Sequence, residues 1–281
     1  MELKPTITVI MSCFNEPVSY ARQAIDSILA QTFTDFEFII VLDNPVNHKL
    51  SILLAKYAER DSRIKVIVHE KPKGLATARN RAISEASGKF VALMDADDIA
   101  KPSRLVEQYD YARKNNSDFL FSQATYIDEQ GKEIGSFITT FSPKTLRRDI
   151  FLRHMFIHPT GFIKKEVFDI LQYDENFLRA QDVDLWIRGI SKKYVFGVVP
   201  KYLLEYRIHR GDTPDKRLDR QQLYMKYGFK LFIKHHRTYW YYPPFWYFAF
   251  KYIFYYLALS SIPKKLLFWV MNHRDQRRNI L

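Results

Sequence analysis

Cysteine is nearly absent from this sequence: Cys13 stands alone. That excludes an internal disulfide and a cysteine-rich zinc site, and it makes a reducing compartment the natural setting. Acid is also in short supply. Asp and Glu total 31 against 43 Lys and Arg, a formal net charge of +12, which favours anionic partners such as nucleotide diphosphates, acidic lipid or nucleic acid. The amino end, Met1-Glu2-Leu3-Lys4, lacks the apolar stretch of a secretory signal, so the chain is expected to start in the cytosol. No internal repeat and no low-complexity linker interrupts it. What is present is a length of 281 residues, enough to bury a substantial core, and an aromatic share of 16%, which is high.

The first hundred residues alternate. Ile7-Thr8-Val9-Ile10-Met11 is rich in β-branched residues and stops at the polar turn Ser12-Cys13-Phe14-Asn15-Glu16-Pro17, the pattern of a strand and its exit. A helix is predicted over about 19–30, with Ala21, Ile25, Ile28 and Leu29 on one stripe. A second strand over 36–42 ends at Asp43-Asn44-Pro45, and a helix over 50–58 and a strand over 64–68 follow. Gly74 opens a helix through Ala76, Ala78, Ala82, Ile83 and Ala86, closed by Gly88. Such alternation predicts an α/β fold with a mainly parallel central sheet covered by helices.

The next strand, Phe90-Val91-Ala92-Leu93-Met94, delivers Asp95-Ala96-Asp97-Asp98 at its carboxyl end. Ligands of open α/β sheets bind at the carboxyl ends of the strands. Hard divalent cations take oxygen ligands, and Mg²⁺ is commonly held by one or two carboxylates plus substrate phosphates. Taken alone, the acidic triplet reads as a cap for the helix that begins near Ser103; its neighbours in the sequence change that reading.

Five pieces occur in order: Ser12-Cys13-Phe14-Asn15-Glu16, Asp43, Gly74-Leu75-Ala76-Thr77-Ala78-Arg79-Asn80, Asp95-Ala96-Asp97-Asp98, and Gln181-Asp182-Val183-Asp184-Leu185-Trp186. As an ordered set over roughly residues 5–210 they resemble the inverting family 2 glycosyltransferases of GT-A fold. The resemblance implies a nucleotide-sugar donor, UDP-linked by family frequency, a divalent Mn²⁺ or Mg²⁺, and transfer with inversion at the anomeric carbon. It places Asn15, Glu16, Asp43, Arg79, Asn80 and Asp95 at the nucleotide, and Asp95 and Asp97 at the metal. Asp43 could accept hydrogen bonds from a uracil N–H or ribose hydroxyls, or form an Asx-turn with Asn44 and Pro45. Leu42 and Pro45 depart from the family's usual pair of aspartates followed by Gly-Ser. Arg79 can meet phosphate or base edges, and Asp98 is left to brace the turn.

Asp182 begins an amphipathic segment over 183–190, so its carboxylate should project from a helix start. In the family the matching residue is the general base that takes the acceptor hydroxyl proton. Gln181 stands where Glu is more common; Asp184 and Trp186 are expected in scaffold or pocket wall. His158, in His158-Pro159-Thr160-Gly161, either touches the acceptor or bonds within its own turn. His209, after two short apolar runs over 194–199 and 202–204, either matches a position near which some relatives add a metal-binding imidazole or is an ordinary surface histidine.

From 213 onward the sequence changes character. A basic helix is predicted over 216–237, then Tyr239-Trp240-Tyr241-Tyr242-Pro243-Pro244 breaks it, and 245–262 is almost wholly apolar or aromatic around Lys251. That division suits a helix lying in a membrane interface, with Lys264, Lys265, Arg274, Arg277 and Arg278 facing anionic headgroups; a membrane span and an aromatic helix closing a core or a dimer are the alternatives. The expected organisation is a catalytic domain over 1–212, its nucleotide-binding half about 1–100 and its acceptor half about 101–212, followed by a helical aromatic extension over 213–281. The expected activity is metal-dependent sugar transfer to a glycan or lipid-linked saccharide on the cytoplasmic face of the membrane, without nucleic acid; a homo-oligomer stays open. A nucleotidyltransferase would share the sheet and metal logic, but there is no glycine-rich loop with a basic residue near the amino end. A noncatalytic basic binding protein would leave the ordered carboxylates without a purpose.

Overall fold

Alternation of side chains along the first strands decides how the sheet is covered. β1 (Ile7–Cys13) lies parallel between β2 (Phe36–Leu42) and β4 (Phe90–Asp95), and β3 (Ile64–Val68) adds a parallel edge to β2. Ile7, Val9, Met11 and Cys13 join Phe36, Phe38, Ile40 and Leu42 in one apolar cluster. Helices α1 (Val18–Leu29) and α2 (His48–Arg60) pack into it through Ala21, Ala24, Ile25, Ile28, Leu50, Leu53 and Leu54. The intervening residues, Ile10, Ile39, Val41, Val91 and Leu93, are buried outside that cluster, on the opposite face of the pleat. There α3 (Leu75–Glu85) lies against β1 and β2.

The computed structural model describes residues 4–139, 141–152, 154–209 and 214–261. Contacts divide the chain into two units, Met1–Arg210 and Gly211–Leu281. In the first unit the sheet continues through β8 (Phe162–Lys164), β6 (Phe119–Ile127), β9 (Phe196–Arg207) and the short β5 (Ile99–Ala100), in the order β3-β2-β1-β4-β8-β6-β9-β5. β7 (Glu133–Phe137) forms a hairpin with β6, and Gly131 sits in the turn between them with φ +85°. β8 runs antiparallel between β4 and β6, while β6 and β9 are parallel. The remaining helices are α4 (Arg104–Asn115), α5 (Leu146–Leu152), α6 (Lys165–Ile170) and α7 (Gln181–Ser191).

The two apolar runs expected over 194–199 and 202–204 are one bent strand, β9. Val199 pairs with Ser122 and Tyr202 with Gln123, so Pro200 and Lys201 fall outside the ladder. A proline has no N–H to give a partner strand, and a bulge absorbs it.

Register brings the site together. Cys13 pairs with Leu42 and Ser12 with Asp95, so the exits of β1, β2 and β4 share one edge of the sheet. α7 reaches that edge on an aromatic footing: the Trp186 ring meets Phe121 at 5.5 Å and Phe156 at 5.3 Å, and Phe121 stacks on Phe156 at 4.1 Å. Its close approach to β6 needs Gly189, where a Cβ would stand 2.8 Å from the Phe119 ring, itself stacked on Phe196.

The second unit is described by α8 (Pro214–Tyr239) and α9 (Pro243–Ser261), which pack on one another. Phe232 meets Phe245 at 5.2 Å and Trp246 at 5.6 Å. Among the described residues no helix is long and apolar enough to cross a membrane. Lys264, Lys265, Arg274, Arg277 and Arg278 lie outside the described residues.

Gly189→Ala is expected to lower the unfolding free energy by about 1–3 kcal/mol, the range for overpacking a well-filled core, as read from urea denaturation. A change within about 0.5 kcal/mol of zero, the range of ordinary surface substitutions, would show that the α7–β6 contact yields.

Candidate functional site

Three carboxylates leave the end of β4, and each meets a different fate. Asp95 Oδ1 accepts from Arg79 Nη2 at 2.9 Å. Burial pushes the Asp95 carboxyl above its usual range, and the charges of Asp97 and Asp182 add to the shift while Arg79 opposes it. Asp97 Oδ2 lies 2.7 Å from His209 Nε2, and both side chains keep solvent access. Asp98 is fully buried; its Oδ1 accepts from the Arg207 N–H at 2.9 Å. Burial and the neighbouring Asp97 and Asp95 push its carboxyl well up. Asp98 therefore braces the turn, as expected, and leaves Asp95 and Asp97 facing the sheet edge.

Around them stand residues from three other exits. Glu16 Oε2 accepts from the Phe14 N–H at 2.7 Å, and burial raises its carboxyl, with Asp97 and Asp95 adding to the effect. Asn15 Oδ1 accepts from Asn44 Nδ2 at 2.7 Å, tying the β1 and β2 exits together. Asp43 is 5% exposed. Its Oδ1 lies 2.6 Å from His69 Nδ1 and accepts from the Lys73 N–H at 2.9 Å, and its Oδ2 accepts from the Gly74 N–H at 2.8 Å. That carboxylate fixes the loop into α3, where Gly74 has φ +94°, a backbone region that favours glycine.

α3 then aims two side chains in different directions. Arg79 reaches Asp95 and lies with its guanidinium carbon 5.7 Å from the Tyr173 ring centre. Asn80 turns to the backbone of Tyr173: its Oδ1 accepts from the Tyr173 N–H at 3.0 Å, and its Nδ2 donates to the Tyr173 carbonyl at 2.9 Å and to Glu175 Oε1 at 3.0 Å. The Tyr173 hydroxyl is 2.8 Å from His158 Nε2. His158 thus bonds outside its own turn, to a residue 15 positions further along. Burial pushes its imidazole well below the ordinary histidine range, and Arg79 adds to that.

Asp182 lies in the first turn of α7, behind an Ala180 cap in the left-handed region, and its Oδ1 accepts from the Val183 N–H at 2.9 Å. Its negative charge reaches Asp95, Tyr173 and His154. Asp184 is fully buried and bonded to Arg188, and Trp186 is core, both scaffold as expected. The structure therefore brings Glu16, Arg79, Asp95, Asp97, Asp182 and His209 to one place. It commits the side chains of Asn15, Asp43 and Asn80 to contacts within the chain.

Two arginines outside the sequence motifs support this arrangement. Arg207 is 3% exposed. It donates from Nε to the Asp97 carbonyl at 2.7 Å, from Nη1 to the Asp128 carbonyl at 3.0 Å and from Nη2 to Gln23 Oε1 at 2.7 Å, and it lies 4.2 Å over the Tyr20 ring. Arg104, fully buried, donates from Nη2 to the carbonyls of Leu93 and Pro159, both at 2.7 Å. Burial brings its guanidinium down to about 10. A signal for Arg104 existed: a cation at a helix start opposes the helix dipole, so something else must hold it there.

A model of glycosyl transferase family 2 matches residues 8–171. An uncharacterized glycosyltransferase of Methanocaldococcus jannaschii is 37% identical over 279 residues, covering 99% of this chain and 96% of that protein. The chain belongs to glycosyl transferase family 2. Two solved structures show the GT-A fold that goes with it. The Pyrobaculum calidifontis mannosyltransferase, in complex with GDP-Man and Mn²⁺, matches with a TM-score of 0.63 at 17% identity, over 97% of this chain and 81% of that one. Residues 1–349 of S. aureus TarS, in complex with UDP, match with a TM-score of 0.58 at 21% identity, over 79% of this chain and 64% of that one. In this glycosyltransferase the mainly parallel sheet carries the acidic turn at its carboxyl edge.

The depressed His158 imidazole gives a pH signature. A histidine held neutral in the fold but free to charge when unfolded contributes stability that is whole above about pH 6.5 and drains away as pH falls below it, by up to about 1.4 kcal/mol per pH unit per proton. His158→Gln is expected to flatten the stability profile between pH 7 and 5. An unchanged slope in urea titrations would show that His158 charges freely in the folded chain.

Proposed function

We propose that this glycosyltransferase moves a sugar from a nucleoside diphosphate sugar, UDP-linked, to a hydroxyl of a glycan or lipid-linked saccharide, with inversion at the anomeric carbon. The observation that carries this reading is the acidic turn at the end of β4 in a chain of this family: Arg79 pairs with Asp95 at 2.9 Å and Asp97 lies 2.7 Å from His209. The nucleotide ligands of the two neighbouring structures, UDP and GDP-Man, support the donor class.

Asp182 takes the proton from the acceptor hydroxyl. The freed oxygen forms its bond to the anomeric carbon from the face opposite the diphosphate, and the bond from that carbon to the diphosphate oxygen breaks. Arg79, held by Asp95, offers cationic hydrogen bonds to the departing phosphates. Asp97 and His209 suit a divalent cation: they are oxygen and nitrogen donors that converge within 2.7 Å. Among the described residues no third such side chain joins them, so a donor diphosphate would have to supply further ligands. A bound Mn²⁺ or Mg²⁺ would neutralise charge on the leaving diphosphate.

Calorimetry with UDP and GDP, with Mn²⁺ or chelator, together with a sugar-transfer assay, tests the assignment. Asp97→Asn is expected to abolish transfer and weaken nucleotide binding at least tenfold. Asp182→Asn is expected to lower turnover by about 10²–10⁴, the usual contribution of a general base, with nucleotide binding retained. Normal turnover in Asp182→Asn would remove the base assignment, and tight binding of GDP instead of UDP would change the donor.

We further propose that the second unit rests on the cytoplasmic face of the membrane, where a lipid-linked acceptor would be presented. From Arg220 to Arg274 there is not one Asp or Glu. α8 exposes Lys226, Lys230 and Lys234, and Trp240, Tyr241, Trp246, Tyr247 and Phe250 are exposed around the turn into α9. Aromatic rings beside lysines are the composition of a helix lying in a headgroup layer. Vesicles containing a third anionic phosphatidylglycerol should sediment the protein, and Trp246→Ala combined with Phe250→Ala should reduce the bound fraction several-fold. Equal recovery in the supernatant with and without vesicles would count against membrane binding.

A further inference from the structure

Asn80 lies beside Arg79 in the segment that the resemblance places at the nucleotide, yet its carboxamide is directed elsewhere. It is 9% exposed. Oδ1 accepts from the Tyr173 N–H at 3.0 Å while Nδ2 donates to the Tyr173 carbonyl at 2.9 Å. A side-chain amide that bonds both the N–H and the C=O of one residue copies the pairing of two strands, and it fixes that residue in translation and rotation together. The second proton of Nδ2 goes to Glu175 Oε1 at 3.0 Å. Both amide protons are thus committed, and no donor remains for a base or a ribose.

The residue it grips begins the approach to the proposed base. Tyr173 and Glu175 lie in the segment between α6 and α7, where the Phe177 and Asn176 N–H groups donate to Asp174 and the Gln172 carbonyl accepts from Arg188 Nη2 at 2.6 Å. Seven residues beyond Glu175 comes Asp182. From the other side, α3 is held at the β4 exit by the Arg79–Asp95 pair. Adjacent positions on one helix therefore contact the acidic turn and the segment that delivers α7.

We propose that Asn80 is a positioning residue: it sets the 172–180 segment, and through it Asp182, against the donor site, and it does not touch the nucleotide. The proposal rests on Asp182 being the base. Its energetic meaning follows from how steeply transfer depends on placement, since a shift of about 1 Å in a reacting group can cost about 10²-fold in rate. Removing the clamp should loosen Asp182 while leaving Arg79, Asp95 and Asp97 in place.

The test uses the full chain with Asn80→Asp and Asn80→Ala. Asn80→Asp keeps the acceptor for the Tyr173 N–H but turns a carboxylate oxygen toward the Tyr173 carbonyl and Glu175, where a donor stood. Each variant is expected to lose about 10–100-fold in kcat, to bind UDP or GDP with Mn²⁺ within twofold of the unsubstituted protein, and to exchange the amide protons of 172–180 at least tenfold faster. Nucleotide affinity falling in step with kcat, with exchange unchanged, would make Asn80 a nucleotide contact and overturn the proposal. Unchanged kcat and exchange would overturn it as well. If Asp182→Asn retained turnover, the base assignment would fail by itself, and faster exchange in the Asn80 variants would still establish the clamp. Thermal melting guards against global unfolding: a variant that melts cooperatively yet exchanges quickly only in 172–180 meets the expectation, and one that exchanges quickly throughout does not.

Discussion

The crowding of carboxylates at the end of β4 is the constraint on which the rest of this structure depends. Asp95, Asp97 and Asp98 fall within four residues; the charge of Asp182 adds to the rise of the Asp95 carboxyl, and Asp97 and Asp95 add to that of Glu16. Taking unpaired charges out of water costs several kcal/mol per ion, so a cluster of this kind exists only where cations and hydrogen-bond donors offset it. Arg79 takes Asp95, the backbone of Arg207 takes Asp98, and the Arg207 guanidinium takes the Asp97 carbonyl. Arg104 closes the arrangement from below through Leu93 and Pro159.

These cations come from α3, α4 and β9, elements that meet only because of the strand order. Arg207 shows how much one side chain can join: its donors connect the acidic turn to the carbonyl of Asp128 and to Gln23 on α1, with Tyr20 beneath its guanidinium. Offset in this way, Asp95 and Asp97 remain acidic neighbours at an open sheet edge. That arrangement suits a metal and a diphosphate, which together bring the charges the cluster lacks.

Division of labour among the remaining polar residues follows from burial. Residues with solvent access, such as Asp97 and His209, keep capacity for a ligand. Two of the motif residues sealed within the fold are satisfied by the chain itself: Asp43 by His69 and the backbone before α3, Asn80 by Tyr173. The chemistry of a buried carboxylate or amide is fully occupied once its lone pairs and protons have partners.

Local pattern determined the α/β alternation, the exits of β1, β2 and β4, the acidic turn and the amphipathic segment over 183–190 that Asp182 begins, because period, turn chemistry and strand-end position are written within a few residues of one another. The family relationship was legible for the same reason, its motifs being short and ordered. Tertiary structure alone decided that 196–207 is one bulged strand around Pro200, that Arg207 holds the acidic turn, and that Asp43 and Asn80 bond within the fold. Each of these depends on which distant segment supplies the partner. Hydrogen bonds spanning 93 to 110 positions, from Asn80 to Tyr173 and from Arg207 to Asp97, leave no mark in any local window of the sequence.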